Sequence, residues 1–337
     1  MIKLLKTLCE IPAVSGREDK LREFILNEVS PYCEAKTDIN GNIICFKKGK
    51  KTPLKKIMLD AHMDEVGIIA TLITDDGFIK FQTVGGIEVG VMLCKGVTFE
   101  NGVKGVVGMK PVHLSNADER KKFPGEEALY IDIGATSKEQ AEEVIKPGDV
   151  AVFDSKVTLL GQDKIKARAI DDRAGVACLI TLLKEEAEFD FYATFTVQEE
   201  IGCRGAGPAT FEVQPDFAII LEATTAADIH GTDEENRVCL LGSGPAVSFM
   251  DNGTLYNRKL FDAARTSKVL HQTKNFVAGG NNSHAISLSK SGVATIAVSL
   301  PCRYIHSPCC VADLGDLENM LLLVKELTYK IGLGEVL

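Results

Sequence analysis

Two adjacent glutamates, Glu199 and Glu200, end the apolar segment that most constrains the fold of this chain. The residues before them, 191–197, alternate aromatic, β-branched and small side chains, which is typical of a buried strand. Two carboxylates at the end of a buried strand repel each other unless a cation lies beside them or one of them keeps a proton. Glycines follow at positions 202 and 205 and favour a sharp turn. The pattern predicts an α/β protein with a site at the carboxyl edge of its sheet.

Other apolar runs in the chain also end in side chains that bind metals. These residues are His62 and Asp64 after the run that starts at 57, Glu222 at the end of the run 217–222, His306 after the run 294–300, and Asp171 at the start of a helix-like stretch. The ends of neighbouring strands lie along one edge of an open α/β sheet, so we expect these side chains to converge. The prediction of a site depends on this convergence, since each motif alone is also compatible with a surface loop or a helix start.

Composition excludes several classes of function. The chain has 337 residues, a net charge of −9 and a pI of about 5.3, which disfavours a surface that tracks nucleic-acid phosphates. No run reaches the roughly 18 apolar residues of a membrane span, and the N-terminus resembles an amphipathic helix more than a signal peptide, so we expect a cytoplasmic protein. The ten cysteines are scattered without a Cys-x-x-Cys pair, which favours free thiols over a zinc ribbon or a disulfide framework.

Turn signals divide the chain into two regions. From about 74 to 160, short β-type runs alternate with turn dipeptides such as Asp76-Gly77 and Asn101-Gly102, which indicates a small all-β module. Helices and apolar strands alternate on either side of it. We therefore predict a discontinuous catalytic domain, 1–67 and 161–337, with an inserted β-barrel domain at 68–160. Further expected elements are a helix within 15–30 that starts with a Ser15–Glu18 capping box, a strand-like run at 57–73, helices at 174–187, 254–270 and 313–332, and a strand at 293–300.

The residue types of the expected cluster suit two divalent metal ions. A neutral imidazole such as that of His62 ligates through one nitrogen while a carboxylate, here Asp64, fixes the other. A pair of metals roughly 3.5–4 Å apart needs a bridging carboxylate or hydroxide, and Asp171 is the candidate. Its neighbour Asp172 has a simpler interpretation as a solvated helix start that pairs with Arg173.

Glu199 and Glu200 are expected to have different roles in the reaction. One of them binds metal, and the other takes a proton from metal-bound water and later delivers it to the leaving group. Two divalent ions carry four positive charges, which Asp171, Glu200, Glu222 and a bridging hydroxide neutralise, with the histidines as neutral ligands. A mixed nitrogen and oxygen donor set favours zinc or cobalt over magnesium or calcium.

Five ordered motifs together resemble the M42 family of metallo-aminopeptidases, some of which carry the labels glutamyl aminopeptidase or "cellulase M". The motifs are Ala61-His-Met-Asp-Glu-Val-Gly67, Ala169-Ile-Asp-Asp-Arg-Ala-Gly175, Gln198-Glu-Glu-Ile-Gly-Cys-Arg-Gly-Ala206, Leu221-Glu-Ala-Thr-Thr-Ala-Ala-Asp228 and Pro301-Cys-Arg-Tyr-Ile-His-Ser-Pro308. The resemblance spans nearly the whole chain. It implies a three-layer, mixed-sheet, phosphorylase/hydrolase-like α/β domain with an inserted PDZ-like β-barrel, assembly into tetrahedral dodecamers, and removal of N-terminal residues from short peptides.

The resemblance also assigns roles to residues. His62, Asp171 and Glu222 would hold one metal, and Asp171, Glu200 and His306 the other, with Asp171 as the bridge. Metal-bound hydroxide would be the nucleophile, Glu199 the general base, and Asp64 the residue that orients His62.

The sequence departs from the family pattern at three places. Glu222 stands where many members have aspartate, the segment 279–287 contains Asn282 and His284 where members usually have Asp and Gly, and His230 replaces a common proline. These changes leave the expected metal ligands intact, and they bear on substrate preference and on packing around the site.

Three other functions use parts of the same pattern. A metal-dependent amidase or deacylase would act on a non-peptide amide with the same residues. A metal-free glycosidase would use Glu199 with another carboxylate, but it leaves both histidines without a role and lacks tryptophan platforms for sugars. A catalytically silent family member would bind metal without turnover.

Overall fold

The chain folds into a large mixed sheet, flanked by helices on both faces, and a separate closed barrel. A computed structural model describes residues 1–114, 116 and 124–336. The helices of four residues or more are α1 (Ile2–Glu10), α2 (Asp19–Val29), α3 (Val89–Met92), α4 (Lys138–Glu142), α5 (Ile170–Lys184), α6 (Ala206–Val213), α7 (Arg258–Arg265), α8 (Ser283–Ser287) and α9 (Leu314–Leu333). The strands are β1 (Glu34–Thr37), β2 (Ile43–Lys47), β3 (Ile57–His62), β4 (Gly67–Ile73), β5 (Ile79–Val84), β6 (Gly96–Phe99), β7 (Lys104–Met109), β8 (Leu129–Asp132), β9 (Val150–Phe153), β10 (Thr158–Leu160), β11 (Lys164–Ala167), β12 (Phe191–Thr196), β13 (Phe217–Thr225), β14 (Ala246–Val247), β15 (Gln272–Thr273), β16 (Ala294–Arg303) and β17 (Cys310–Asp313).

The large sheet has the order β1-β2-β12-β3-β13-β16-β17-β11-β10, and β14 and β15 branch from β16. Its centre, β12-β3-β13-β16, is parallel. All six residues of β3 are buried, as expected for a parallel strand that is covered on both faces. The side chains of Ile57 and Leu59 pack with α1, α5 and α9, whereas Met58 packs with α6 and α8. This three-layer arrangement confirms the predicted fold class.

The barrel is closed in the order β4-β5-β8-β7-β6-β9, and all its pairs are antiparallel. It has its own apolar core, which includes Ile68, Phe81 and Phe153. The chain leaves the large sheet after β3 and returns to it with β10, which pairs with β11. The domain boundaries at 67/68 and 160/161 stay a prediction.

Two local expectations were wrong. The strand-like run 57–73 is two strands, because residues 63–66 leave the sheet and β4 belongs to the barrel. The Ser15–Glu18 capping box does not form, and α2 begins at Asp19. The Ser15 hydroxyl donates instead to the buried Asp64 carboxylate at 2.6 Å, and Glu18 accepts from the Gly16 backbone N–H at 2.8 Å.

Candidate metal centre

The predicted site residues meet at the carboxyl edge of the four parallel strands. His62 is the last residue of β3 and lies beside Thr196, the last residue of β12. Asp60 pairs with Ile220 of β13, so Glu222, two residues further on, reaches the level of His62. Glu199 and Glu200 follow β12, and His306 lies in the turn after β16. Strand register therefore brings together residues that are up to 244 positions apart, from His62 to His306.

Asp171 lies between the two histidines. One of its carboxylate oxygens, Oδ1, is 3.1 Å from His62 Nε2, and the other, Oδ2, is 3.4 Å from His306 Nε2. The backbone of Asp171 is not helical (φ −79°, ψ 111°), although it stands in the first turn of α5. This extended conformation holds the carboxylate between the two imidazoles.

Each histidine also has a glutamate beside it. His62 Nε2 is 3.4 Å from Glu222 Oε1, and His306 Nε2 is 3.3 Å from Glu200 Oε2. His62, Glu200 and Glu222 have side chains that are at most 8% exposed, whereas His306 is 37% exposed and forms the open side of the cluster. The arrangement has two halves that share Asp171.

Asp64 connects His62 to the glutamate pair. Its Oδ1 lies 3.4 Å from His62 Nδ1 and accepts the Glu199 backbone N–H at 2.9 Å. Its Oδ2 accepts the Glu200 backbone N–H at 3.1 Å and the Ser15 hydroxyl at 2.6 Å. Burial acts to raise the pKa of Asp64, but the bonds from His62, Ser15 and Glu199 hold it below its usual value. The Asp64 backbone carbonyl oxygen is 3.1 Å from His62 Nδ1, and the Asp64 carboxylate holds the backbone of Glu199 and Glu200 in place.

The carboxylates are crowded enough to shift one another's pKa. Burial and the nearby Asp171 charge raise the pKa of Glu200 and Glu222 well above the usual value. Burial opposes ionisation of Asp171 too, but bonds from His306 and His62 keep its pKa low. Hydrogen bonding to Asp171 raises the pKa of His306 to about 9. Such packing of buried acids is favourable when cations lie among them, so these residues fit divalent metal ions.

Glu199 stands apart from this shared set. Its carboxylate has the Cys203 thiol as a partner, at 3.5 Å from Oε1. Burial raises the pKa of Glu199 to about 7, with further contributions from the negative charges of Asp171 and Asp64. A carboxylate with a pKa near neutrality suits proton transfer.

Asp172 was misjudged from the sequence. It is fully buried, its Oδ1 accepts the Gly175 backbone N–H at 2.9 Å, and its Oδ2 has no hydrogen-bond partner. Ligand atoms of His62, Asp172 and Glu222 lie within 4.8 Å of one another, as do those of His62, Asp171 and Glu200. Asp172 is therefore an additional oxygen donor beside the half of the cluster that contains Glu222.

Arg173 does not pair with Asp172, contrary to expectation. It binds Glu65 at 3.2 Å and donates to backbone carbonyls, Met63 among them. Arg168 binds both oxygens of Glu65 at 2.6 Å. This buried group fixes the segment 63–66 behind His62. Sequence reasoning missed it, although two arginines that flank Asp171 were a visible signal.

The altered segment 279–287 lies beneath the site. The Asn282 side-chain amide donates to Asp60 Oδ2 and to Thr196 Oγ1, both at 2.8 Å. His284 is exposed, and its Nδ1 lies 2.9 Å from the Gly253 carbonyl oxygen. The departure at Asn282 therefore acts on the packing of β3 against β12.

A cavity of about 500 Å³ opens next to His306. Its walls come from the barrel and from the turn after β16, and they are Thr83, Gly85, Gly86, Ile87, Glu88, Val91, Ile305 and His306. The barrel thus forms one side of the space in front of the cluster.

Sequence and structure comparisons both match this chain to aminopeptidases. The sequence profile of the M42 glutamyl aminopeptidases matches residues 41–323. The lysyl aminopeptidase of Pyrococcus furiosus is 32% identical over 96% of this chain and 96% of its own. Aminopeptidase APDkam598 of Desulfurococcus kamchatkensis superposes with a TM-score of 0.91 at 36% identity, over 96% of this chain and 93% of its own. The Pyrococcus horikoshii TET1 peptidase, which assembles into a tetrahedron or a large octahedral shell, superposes with a TM-score of 0.84 at 33% identity, over 97% and 98%.

Proposed function

This chain is an aminopeptidase of the M42 family, and we propose that it removes N-terminal residues from short peptides with the help of two divalent metal ions. His62, Asp171 and Glu222 would hold one ion, and Asp171, Glu200 and His306 the other. Zinc or cobalt suits this mixture of imidazole and carboxylate donors. The observation that carries the proposal is that the two oxygens of Asp171 face two different histidines.

The metal ions and the protein side chains would have different roles in the reaction. When bound, the ions would polarise the scissile carbonyl and make a water molecule acidic enough to ionise at neutral pH. Glu199 would accept a proton from the attacking water and deliver it to the departing amine, and its raised pKa suits both transfers. Asp64 keeps Glu199 and Glu200 in place through their backbone N–H groups.

The surroundings of the cluster favour the N-terminal end of a peptide. The metal ions would balance the charges of Asp171, Glu200 and Glu222, so Glu199 is the carboxylate of the site that would attract a positively charged α-amino group. The rest of a short peptide would occupy the cavity beside His306. We infer a cytoplasmic enzyme with a catalytic domain at 1–67 and 161–337 and an assembly domain at 68–160. Among the described residues, no helix is long and apolar enough to cross a membrane.

The test is turnover of a panel of aminoacyl-p-nitroanilides by chelator-treated protein, before and after zinc or cobalt is added back. We expect activity only in the metal-loaded protein, and we expect Glu199→Gln to bind both ions but to lose at least about 100-fold in kcat, since general base catalysis contributes that much. The panel also reveals the preferred N-terminal residue.

A matched control is Glu23→Gln, which changes the same side chain on the exposed face of α2. It should keep full activity and full metal content. Undiminished turnover in excess chelator would refute the metal-dependent mechanism. Two bound ions without cleavage of any substrate would favour an amidase or a silent family member.

A further inference from the structure

We propose that Cys203 is a positioning residue that orients the Glu199 carboxylate for proton transfer, an inference that rests on the proposed function. The thiol Sγ lies 3.5 Å from Glu199 Oε1. It is the one side-chain hydrogen bond that the described residues give to this carboxylate, whereas Asp64 holds only the backbone of Glu199.

The turn that follows β12 places the thiol over the carboxylate. The Glu199 carbonyl accepts the backbone N–H groups of Gly202 and Cys203, each at 2.9 Å, so the chain closes one tight loop. This loop returns the side chain at 203 to the carboxylate four residues earlier. The contact between Glu199 and Cys203 is therefore made within this one turn of the backbone.

Backbone conformation supports a role for the side chain. Cys203 has φ 55°, in the left-handed region where a side chain is disfavoured and glycine is preferred. The chain thus carries a side chain at a position where the backbone favours glycine, and this side chain contacts Glu199.

The chemistry of a thiol suits this task. A general base needs a fixed direction, but a strong donor would stabilise its ionised form and weaken its affinity for the proton. An S–H group is a weak donor. Cys203 can therefore orient Oε1 without fixing the carboxylate in its ionised form.

Two variants test the role in catalysis. Cys203→Ala should lower kcat about tenfold, since it disturbs the geometry of proton transfer, and leave KM nearly unchanged. Cys203→Ser should restore only part of the lost kcat, because it keeps a donor that orients the carboxylate, but the stronger hydroxyl donor stabilises the ionised form of Glu199. Both should retain the melting temperature and the metal content of the parent, which a merely structural role of the side chain would not predict. Cys94→Ser, an exposed thiol in the barrel, is the matched control.

A second measurement tests the contact without any turnover. Burial and the Glu199 charge raise the pKa of the Cys203 thiol, so removal of that charge should release more thiolate. We expect N-ethylmaleimide to alkylate Cys203 several-fold faster in Glu199→Gln than in the parent, with Cys94 as the internal reference in peptide mass spectrometry.

Each outcome is decisive. A kcat of Cys203→Ala within twofold of the parent, or equal alkylation rates in the two proteins, would overturn the inference. A loaded parent that cleaves no substrate would refute the proposed function instead, and the alkylation rates would then still establish or exclude the contact.

Discussion

Asp171 is the residue on which the two halves of the cluster depend. Each of its oxygens faces a different histidine, and its pKa stays low despite burial. Glu222 lies beside His62, and Glu200 lies beside His306. Loss of the shared residue should therefore have a larger effect on metal content than loss of either glutamate.

Metal content measures this difference. We expect Asp171→Ala to lose both of about two bound ions per chain, and Glu222→Gln to lose about one, since only one half is damaged. Inductively coupled plasma mass spectrometry after dialysis against micromolar zinc gives the numbers, with Glu23→Gln as the control. A full complement in Asp171→Ala would contradict the shared role.

At the residue scale, the sequence indicated which side chains lie close together where each follows a strand, and their roles as metal ligands or base stay a prediction. His62, Glu199, Glu200, Glu222 and His306 follow apolar runs, and parallel strands bring such ends together. Prediction from the sequence failed for hydrogen bonds between residues that are far apart along the chain. Nothing near Ser15 indicates that its hydroxyl binds Asp64, 49 positions away.

At the scale of elements, Asn282 joins helix α8 to the two central strands. Its amide donates to Asp60, which is fully buried. We expect Asn282→Asp to destabilise the protein by about 2–4 kcal/mol at neutral pH, because it would place two carboxylates in direct contact in the core. Urea unfolding followed by circular dichroism measures the change. Asn27→Asp, on the exposed face of α2, should have little effect, and equal stability of the two variants would contradict the argument.

Another element-scale contact anchors the start of β12. Asp190 accepts from Lys48 Nζ at 2.9 Å, the Gly49 backbone N–H at 2.8 Å and the Thr52 hydroxyl at 2.9 Å. Burial acts to raise the pKa of Asp190, but these bonds hold it below the usual value. The loop 48–52 is thereby fastened to the sheet at the end opposite the metal centre.

The sign of the pH dependence follows from that lowered pKa. The stabilisation is fully present above the unfolded pKa of about 3.9 and is lost as the pH falls through the folded value. We expect Asp190→Ala to cost about 2–3 kcal/mol at neutral pH, since three partly buried hydrogen bonds disappear. Melting temperatures of parent and variant should differ by a constant amount from pH 8 to about 5 and converge below about pH 4. Asp75→Ala, an exposed turn residue, is the control, and a gap that widens in acid would contradict the assignment.

Element types were more predictable than element ends. The strand predicted at 293–300 is β16, Ala294–Arg303, and the helix predicted at 254–270 is the shorter α7, Arg258–Arg265. Apolar periodicity identifies the core face of an element, but the ends depend on tertiary bonds. Asn257, for example, caps α7 by accepting the Leu260 backbone N–H at 3.2 Å.

At the scale of the whole molecule, the inserted barrel was predictable because turn dipeptides such as Asp76-Gly77 and Asn101-Gly102 separate short β-type runs between 74 and 160. The position of the barrel beside the candidate metal centre was not predictable, since no sequence pattern indicates where an inserted domain packs. The structure places Gly85 and Gly86 of the barrel in the wall of the cavity that contains His306. The barrel therefore restricts the space in front of the site even within one chain.

Assembly would restrict that space further. The TET1 peptidase of P. horikoshii can assemble into a tetrahedron or a large octahedral shell, and we expect this chain to form a dodecamer of about twelve times its 36.5 kDa mass. Sedimentation velocity at micromolar concentration measures that mass. If the sites face an inner chamber, the assembled fraction should cleave tetrapeptides but leave the N-terminus of a stable folded protein intact, because a folded domain is too large to enter. Equal cleavage of both substrates by the assembled fraction, or full activity in a fraction that sediments as a monomer, would contradict an enclosed site and would leave the barrel alone to limit substrate size.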